Sequence, residues 1–320
     1  MRAILVAAAV VAAALPLDAQ QPPAAAPHTA AGRVVKATEK NVLPIKGVWV
    51  TLHRIGPDSA RPMDSVRTGA DGAFRISYRP YGPAQSIYFV ATMWAGIAYF
   101  STPLRDPGLE QHAVLTVFDT TSAGAPLPVQ GRHTVVFAPK PDGTREVAEV
   151  YEIANNDAKT RVAPGAGKPS WSAPIPASAT DFRAGESDVS AGMIIGSAGK
   201  VEVFAPFAPG LKQIRFSYRL PRSAFPLTLA PLRDPAVLEV VMEEKGASAS
   251  GGGLKATDPV PVDDRTFARW LAPNAPVGAV VTIKTGGSKG QRMPAAVMAL
   301  VAALGVTMII ALIYGLRRRG

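Results

Sequence analysis

GRVVKAT (32–38), GVWVTLHRI (47–55), VRTGADGAFRISY (66–78) and SIYFVAT (86–92) are short runs in which apolar and polar residues alternate. A period of two sends successive side chains to opposite faces, so these runs predict strands with one buried face. Val48, Val50 and Leu52 fall on one face of the second run, and Trp49, Thr51 and His53 on the other. Phe74 and Val50 are candidate core residues, and Asp71-Gly72 is the turn between runs. No window shows a 3.6-residue apolar period.

The same pattern continues over 105–285. HAVLTVFD (112–119), HTVVFA (133–138), REVAEVYEI (145–153), KVEVF (200–204), LKQIRFSYRL (211–220) and VLEVVME (237–243) read as strands. Residues 155–192 are rich in Gly, Pro, Ser and Ala and predict a long loop. Residues 247–253 (ASASGGG) predict a flexible one. Between Gln20 and Arg292 there are 28 Pro and 26 Gly, a density that suits a turn-rich β protein. The expected fold class is all-β: two antiparallel β-sandwich domains, residues 32–104 and 105–285.

The first of these resembles the carboxypeptidase regulatory-like domain, a transthyretin-like β-sandwich. Gly32, Gly47, Val50, Leu52, Thr68, Asp71, Gly72 and Phe74 stand where that pattern has them. The resemblance implies a fold and no catalytic residues. The zinc domain of the peptidases that gave the module its name has no counterpart here.

The 320 residues include no cysteine and four histidines, which excludes disulfides, cysteine-ligated metals and covalent haem. The hydrophobic content of 48% is concentrated at the ends. Residues 1–19 join one arginine, an apolar run and Asp18-Ala19, the pattern of a secretory signal peptide cut after Ala19. Residues 20–31 (QQPPAAAPHTAA) predict a disordered spacer, and 286–292 a membrane-proximal linker. Met293–Leu316 carries no charge over 24 residues, enough for a transmembrane helix. Pro294 sits in its first turn, and Leu304, Ile309 and Leu312 belong to its apolar body. Tyr314 is placed as an interfacial aromatic, and Ala295, Ala299 and Ala303 form a small-residue stripe. Arg317, Arg318 and Arg319 follow as a stop-transfer cluster, so residues 317–320 are expected in the cytoplasm. The expected location is a bacterial inner membrane, crossed once, with the bulk in the periplasm.

Catalytic signatures are weak. Ser288 lies in a G-x-S-x-G string (286–290) and Ser197 in an S-x-x-K string ending at Lys200, but neither has the helix such motifs need. His28, His53, His112 and His133 share no ligand spacing, and His53 and His133 read as surface imidazoles. Asp263-Asp264 and Glu243-Glu244 read as solvated turns. No cofactor or metal is expected. The 30 basic and 23 acidic residues of 20–292 are scattered, which argues against nucleic acid.

The sequence therefore favours a non-enzymatic accessory or scaffolding subunit of a membrane complex, such as a respiratory or photosynthetic one. Its expected partners are membrane lipid and other subunits. The alternative is a carbohydrate-binding module in which Trp49, Tyr88, Trp94, Tyr99 and Trp171 stack on sugar rings. A hydrolase ranks third, and clustering of His112, His133 and a carboxylate would revive it.

Overall fold

The computed structural model describes residues 26–286, except 106–110, 198, 234–235 and 263–264. The signal, half of the spacer, most of the linker, the apolar segment with its alanine stripe, and the arginine cluster lie outside the described residues. Among the described residues, no helix is long and apolar enough to cross a membrane.

The chain is all-β, β-sandwich-like, and built of several mostly antiparallel sheets. Its strands are β1 (His28–Ala37), β2 (Val42–Pro44), β3 (Trp49–Ile55), β4 (Ala60–Arg67), β5 (Ala73–Tyr78), β6 (Ile87–Trp94), β7 (Ile97–Phe100) and β8 (Ala113–Val117). They continue with β9 (Thr120–Thr121), β10 (Val129–Val136), β11 (Arg145–Asn155), β12 (Thr160–Arg161), β13 (Trp171–Pro174), β14 (Thr180–Ala184), β15 (Ile194–Ser197) and β16 (Lys200–Val203). The last are β17 (Gly210–Leu220), β18 (Leu227–Leu229), β19 (Ala236–Met242), β20 (Ser248–Gly251), β21 (Lys255–Val262), β22 (Arg265–Ala275) and β23 (Val281–Lys284).

Two compact units divide the chain. The first comprises the described residues up to Val34, of Pro44–Thr92 and of Phe100–Leu115. It holds β3, β4 and β5 and most of β1, β6 and β8; β3 pairs with β4 and β6, and β1 with β5 and β8. The alternation in β3 is realised: Val50 and Leu52 are buried while Trp49 and Ile55 are exposed. Phe74 is buried, and Gly72 takes φ +75° in the turn before β5, a conformation glycine adopts without strain. Arg54 also points inward. Its guanidinium donates to Asp58 Oδ1 (2.7 Å), Tyr81 O (3.0 Å) and the hydroxyls of Ser59 and Ser86, which satisfies a buried cation.

β1 begins at His28, inside the stretch expected to be a spacer. His28–Ala31 pair with Arg75–Tyr78 because Ala30 and Ala31 are small enough to bury in the sheet. At Gly32 a Cβ would stand 1.8 Å from the carbonyl oxygen of Ala113, so β8 packs there only against a bare backbone. Gly32→Val is expected to destabilise the first unit by about 3 kcal/mol or more, since neither partner is a flexible side chain. A urea unfolding midpoint equal to that of the parent chain would refute this.

The second unit comprises Val35–Leu43, Met93–Tyr99 and the described residues from Thr116 on. Its centre is a seven-stranded sheet ordered β14-β17-β11-β10-β19-β22-β21. Val136, Val147, Tyr151, Ile153, Phe216, Val240 and Met242 line one face of that sheet and share a core with the small sheets β13-β16-β15 and β18-β23-β20. Val135, Phe137, Ala148, Val150, Val241 and Phe267 form a second cluster on the opposite face. The pairing departs from the expected antiparallel pattern where the short strands β9 and β12 run parallel and, at the centre, where β10 and β19 run parallel from Gly131↔Val237 to Val136↔Met242. The long intervening chain leaves room for the crossover that a parallel pair needs. The expected loop 155–192 is also corrected, for it contains β12, β13 and β14. Its Pro and Gly residues separate short strands, while Trp171 anchors one of them in the core.

Candidate functional site

β10 and β11 carry charged residues inside otherwise apolar runs, and the pleat sends them to both faces of the seven-stranded sheet. On the face with the larger core, Arg132 is 2% exposed and Glu149 0%. Arg132 Nε donates to Glu149 Oε2 at 2.7 Å, and its Nη1 donates to Ala230 O at 3.0 Å. The guanidinium also lies 5.2 Å from the centre of the Tyr151 ring. The Tyr218 hydroxyl donates to Glu149 Oε1 at 2.5 Å. Burial is the largest single influence on Arg132 and by itself would lower its pKa, but the charge and hydrogen bond of Glu149 together with Tyr151 and Tyr218 outweigh it, and the pKa stands raised. Burial raises both the Tyr151 and Tyr218 phenols, so neither ionises near neutral pH.

On the opposite face a polar line crosses five adjacent strands. Arg269 Nε donates to Glu239 Oε1 at 2.5 Å, and Glu239 Oε2 lies 2.6 Å from His133 Nδ1. Gln213 Nε2 donates to Glu152 Oε1 at 3.1 Å, and Arg215 donates to Gln213. His133 Nε2 stands 4.0 Å from Glu152, beyond hydrogen-bond reach, and has no hydrogen-bond partner among the described residues. His133 is thus no surface imidazole, being 3% exposed. The sheet brings it to carboxylates 106 and 19 residues away in sequence, with no hydroxyl in reach of Nε2. Among the described residues, no group of three or more His, Cys, Asp or Glu could hold a metal ion.

Beside Arg132 the second unit opens into a cavity of about 290 Å³. Its walls include Arg132, Arg161, Tyr151, Trp171 and Leu127, with Arg233 exposed at the rim. A neighbouring cavity of about 220 Å³ shares Arg132, Pro174, Ala230 and Pro231 with it, so the two form one cleft along β13 and residues 227–233. Arg161 is held by Ala125 O (2.8 Å) and Asp157 Oδ2 (2.9 Å), and its buried Nε has no partner among the described residues.

The expected stacking aromatics fall in different settings. Trp171 is a wall of this cavity and meets Tyr151 edge-on, with ring centres 5.2 Å apart. Tyr99 is buried, its hydroxyl 2.7 Å from Thr160 Oγ1. Trp94 is half-buried beneath Lys36, whose Nζ lies 5.8 Å from the ring centre. Tyr88 is buried and donates to Tyr81 O. Trp49 is 53% exposed, with the Arg67 guanidinium 4.8 Å from its ring centre. On the same side of β3, His53 stacks on Phe89 at 5.3 Å, and Phe89 meets Phe100, itself 62% exposed. The first unit therefore presents an aromatic face.

Ser197 and Lys200 are cross-strand partners in the β15–β16 hairpin, not residues on one helix turn. The acidic pair Glu243-Glu244 is not a solvated turn. Glu244 is buried against Arg145 (2.8 Å), and Glu243 pairs with Arg265 (2.8 Å), because both follow directly on the buried strand β19. Asp263-Asp264 and Ser288 lie outside the described residues. Arg132, Glu149 and Arg161 were not singled out from the sequence. The available signal was the charge inside RHTVVFA (132–138) and REVAEVYEI (145–153), runs too apolar to be surface strands.

No protein-family model matches the sequence, and no curated protein is similar to it at a significant level. Among solved structures, the M1 zinc metallopeptidase from Deinococcus radiodurans is similar over 55% of this chain and 52% of that one, at 16% identity and a TM-score of 0.33. The match thus spans about half the length of that enzyme. A likeness this slight carries no argument about fold or activity. Fold and sites define an all-β protein with a basic cleft and an aromatic sheet face.

Proposed function

We propose that the chain is a non-enzymatic, extracytoplasmic protein tethered to a bacterial inner membrane, where it serves as an accessory or scaffolding subunit of a membrane complex. In this reading the first unit is a transthyretin-like sandwich of the carboxypeptidase regulatory-like kind. The second is another sandwich, and residues 293–316 are the single span, with the arginines 317–319 inside. The observation that carries the reading is the aromatic face of the first unit, with Trp49, His53, Phe89 and Phe100. Contiguous exposed apolar surface on a sheet face marks an interaction site. Its Trp49, Phe89 and Phe100 are of the kind enriched at protein interfaces. The occupant is an apolar surface of another subunit, since Trp49 and Phe100 are the large exposed side chains that this face offers it.

The test is mild detergent extraction followed by sizing and identification of co-migrating chains. The expected result is a stoichiometric partner that is lost in the Trp49→Ser, Phe100→Ser double variant. A monomer with no partner would overturn the proposal. The exposed indole of Trp49 favours a second reading, glycan binding. In that case a glycan array would show binding that Trp49→Ala abolishes, and the partner would be a sugar.

A further inference from the structure

We infer that the cleft beside Arg132 and Arg161 is a binding site for a small organic monoanion: a carboxylate carried on an apolar body. Three arginines line the larger cavity, Arg132, Arg161 and Arg233, and no Asp or Glu is among its lining residues. Two of these cations are more than nine-tenths buried. A guanidinium presents donors in a planar fork that suits a carboxylate.

Arg161 is the one poised for a ligand. Ala125 O and Asp157 hold its two terminal nitrogens, so the plane of the guanidinium is set in advance. Its Nε–H is buried without an acceptor among the described residues. That Nε–H is closed off from the cavity, but each terminal nitrogen carries a second N–H beyond the one these bonds use, and those are the donors offered to an acceptor in the cavity. Arg132 contributes differently. Its Nε and Nη1 are committed to Glu149 and Ala230, so it supplies field and one cavity wall rather than a free donor.

The remaining walls decide the rest of the ligand. Trp171, Tyr151 and Leu127 offer aromatic and aliphatic surface. Pro126, Pro169, Pro174 and Pro231 also line it. Their fixed φ angles make the cleft largely pre-formed, which lowers the entropy lost on binding. A volume of about 290 Å³ is at the small end of ligand cavities, so the occupant is a small molecule and not a polymer. Glu149 and Asp157 already offset Arg132 and Arg161, so the site has too little spare positive charge to favour a dianion. A monoanion with an apolar body matches both charge and walls.

Calorimetric titration of the full chain in detergent tests this, with benzoate and hexanoate as probes and benzyl alcohol, hexanol and inorganic phosphate as controls. The expected result is saturable binding of at least one carboxylate, weakened tenfold or more by Arg161→Met, with the alcohols and phosphate not binding. Ser172→Trp places a bulky ring on the exposed part of the cavity wall, away from the core. It is expected to abolish binding with the unfolding midpoint unchanged, so the test stands even if Arg161→Met fails to fold. No binding of either carboxylate, equal binding by the alcohols, stronger binding of phosphate, or undiminished binding in Ser172→Trp would each overturn the assignment.

Discussion

Glu149→Ala is expected to cost the second unit about 3–5 kcal/mol, the range for removing one partner of a buried ion pair. The carboxylate is the counter-charge of Arg132, at 2.7 Å, and it also accepts from Tyr218. Without it a guanidinium and a phenol remain in the core among Val147, Phe216 and Val240, and each loses its acceptor. Removing both charges should behave differently. The Arg132→Met, Glu149→Leu double variant is expected to recover most of the loss, because apolar side chains of similar volume avoid the desolvation cost of the pair. Urea unfolding of the parent chain and the variants separates these cases. A Glu149→Ala chain within about 1 kcal/mol of the parent would mean that water reaches Arg132.

The second large effect is acid sensitivity centred on Glu239. Burial alone would raise its pKa. The hydrogen bond and charge of His133, together with Arg269, outweigh burial and hold it below the ordinary value of 4.5. A carboxylate whose pKa is depressed on folding binds protons more weakly in the native state than in the unfolded chain. Its contribution is therefore complete above the unfolded pKa and is lost as the pH falls from about 4.5 through the lower native value. Glu239→Gln is expected to flatten that acid limb. At neutral pH, Glu239→Ala should cost about 3 kcal/mol, since it strips buried His133 of its Nδ1 partner and Arg269 of its counter-ion. Thermal unfolding measured from pH 3 to 7 checks both. An unchanged acid limb in Glu239→Gln would show that other carboxylates control it.

These two sites show where sequence reading stops. Glu149 sits in an 11-residue strand whose residues are nearly all buried, so the local pattern marks it as unusual without naming its partner. Arg132 is 17 residues away and reachable through the β10–β11 hairpin, whereas Glu239 meets His133 across a gap of 106 residues. Only the parallel pairing of β10 with β19 sets those two side by side, as register partners. No periodicity in either strand encodes that pairing, because it depends on which strand the intervening chain brings back.

What the sequence determined by itself is local. The period-two runs at 47–55 and 73–78 dictate strands with Val50, Leu52, Phe74 and Ile76 inside, because a pleated backbone leaves alternate side chains no other choice. Asp71-Gly72 dictates the turn that leads into the second of them, because glycine tolerates φ +75°. The tertiary structure decided what is non-local. It begins β1 at His28, makes strands of a Pro- and Gly-rich stretch, buries His133 and Glu244, and gathers Arg132, Arg161 and Trp171 around one cleft. The reason is physical. Alternation states which face a side chain takes, but burial of a charge is tolerated only where a distant strand supplies its counter-charge, and that match is made in space.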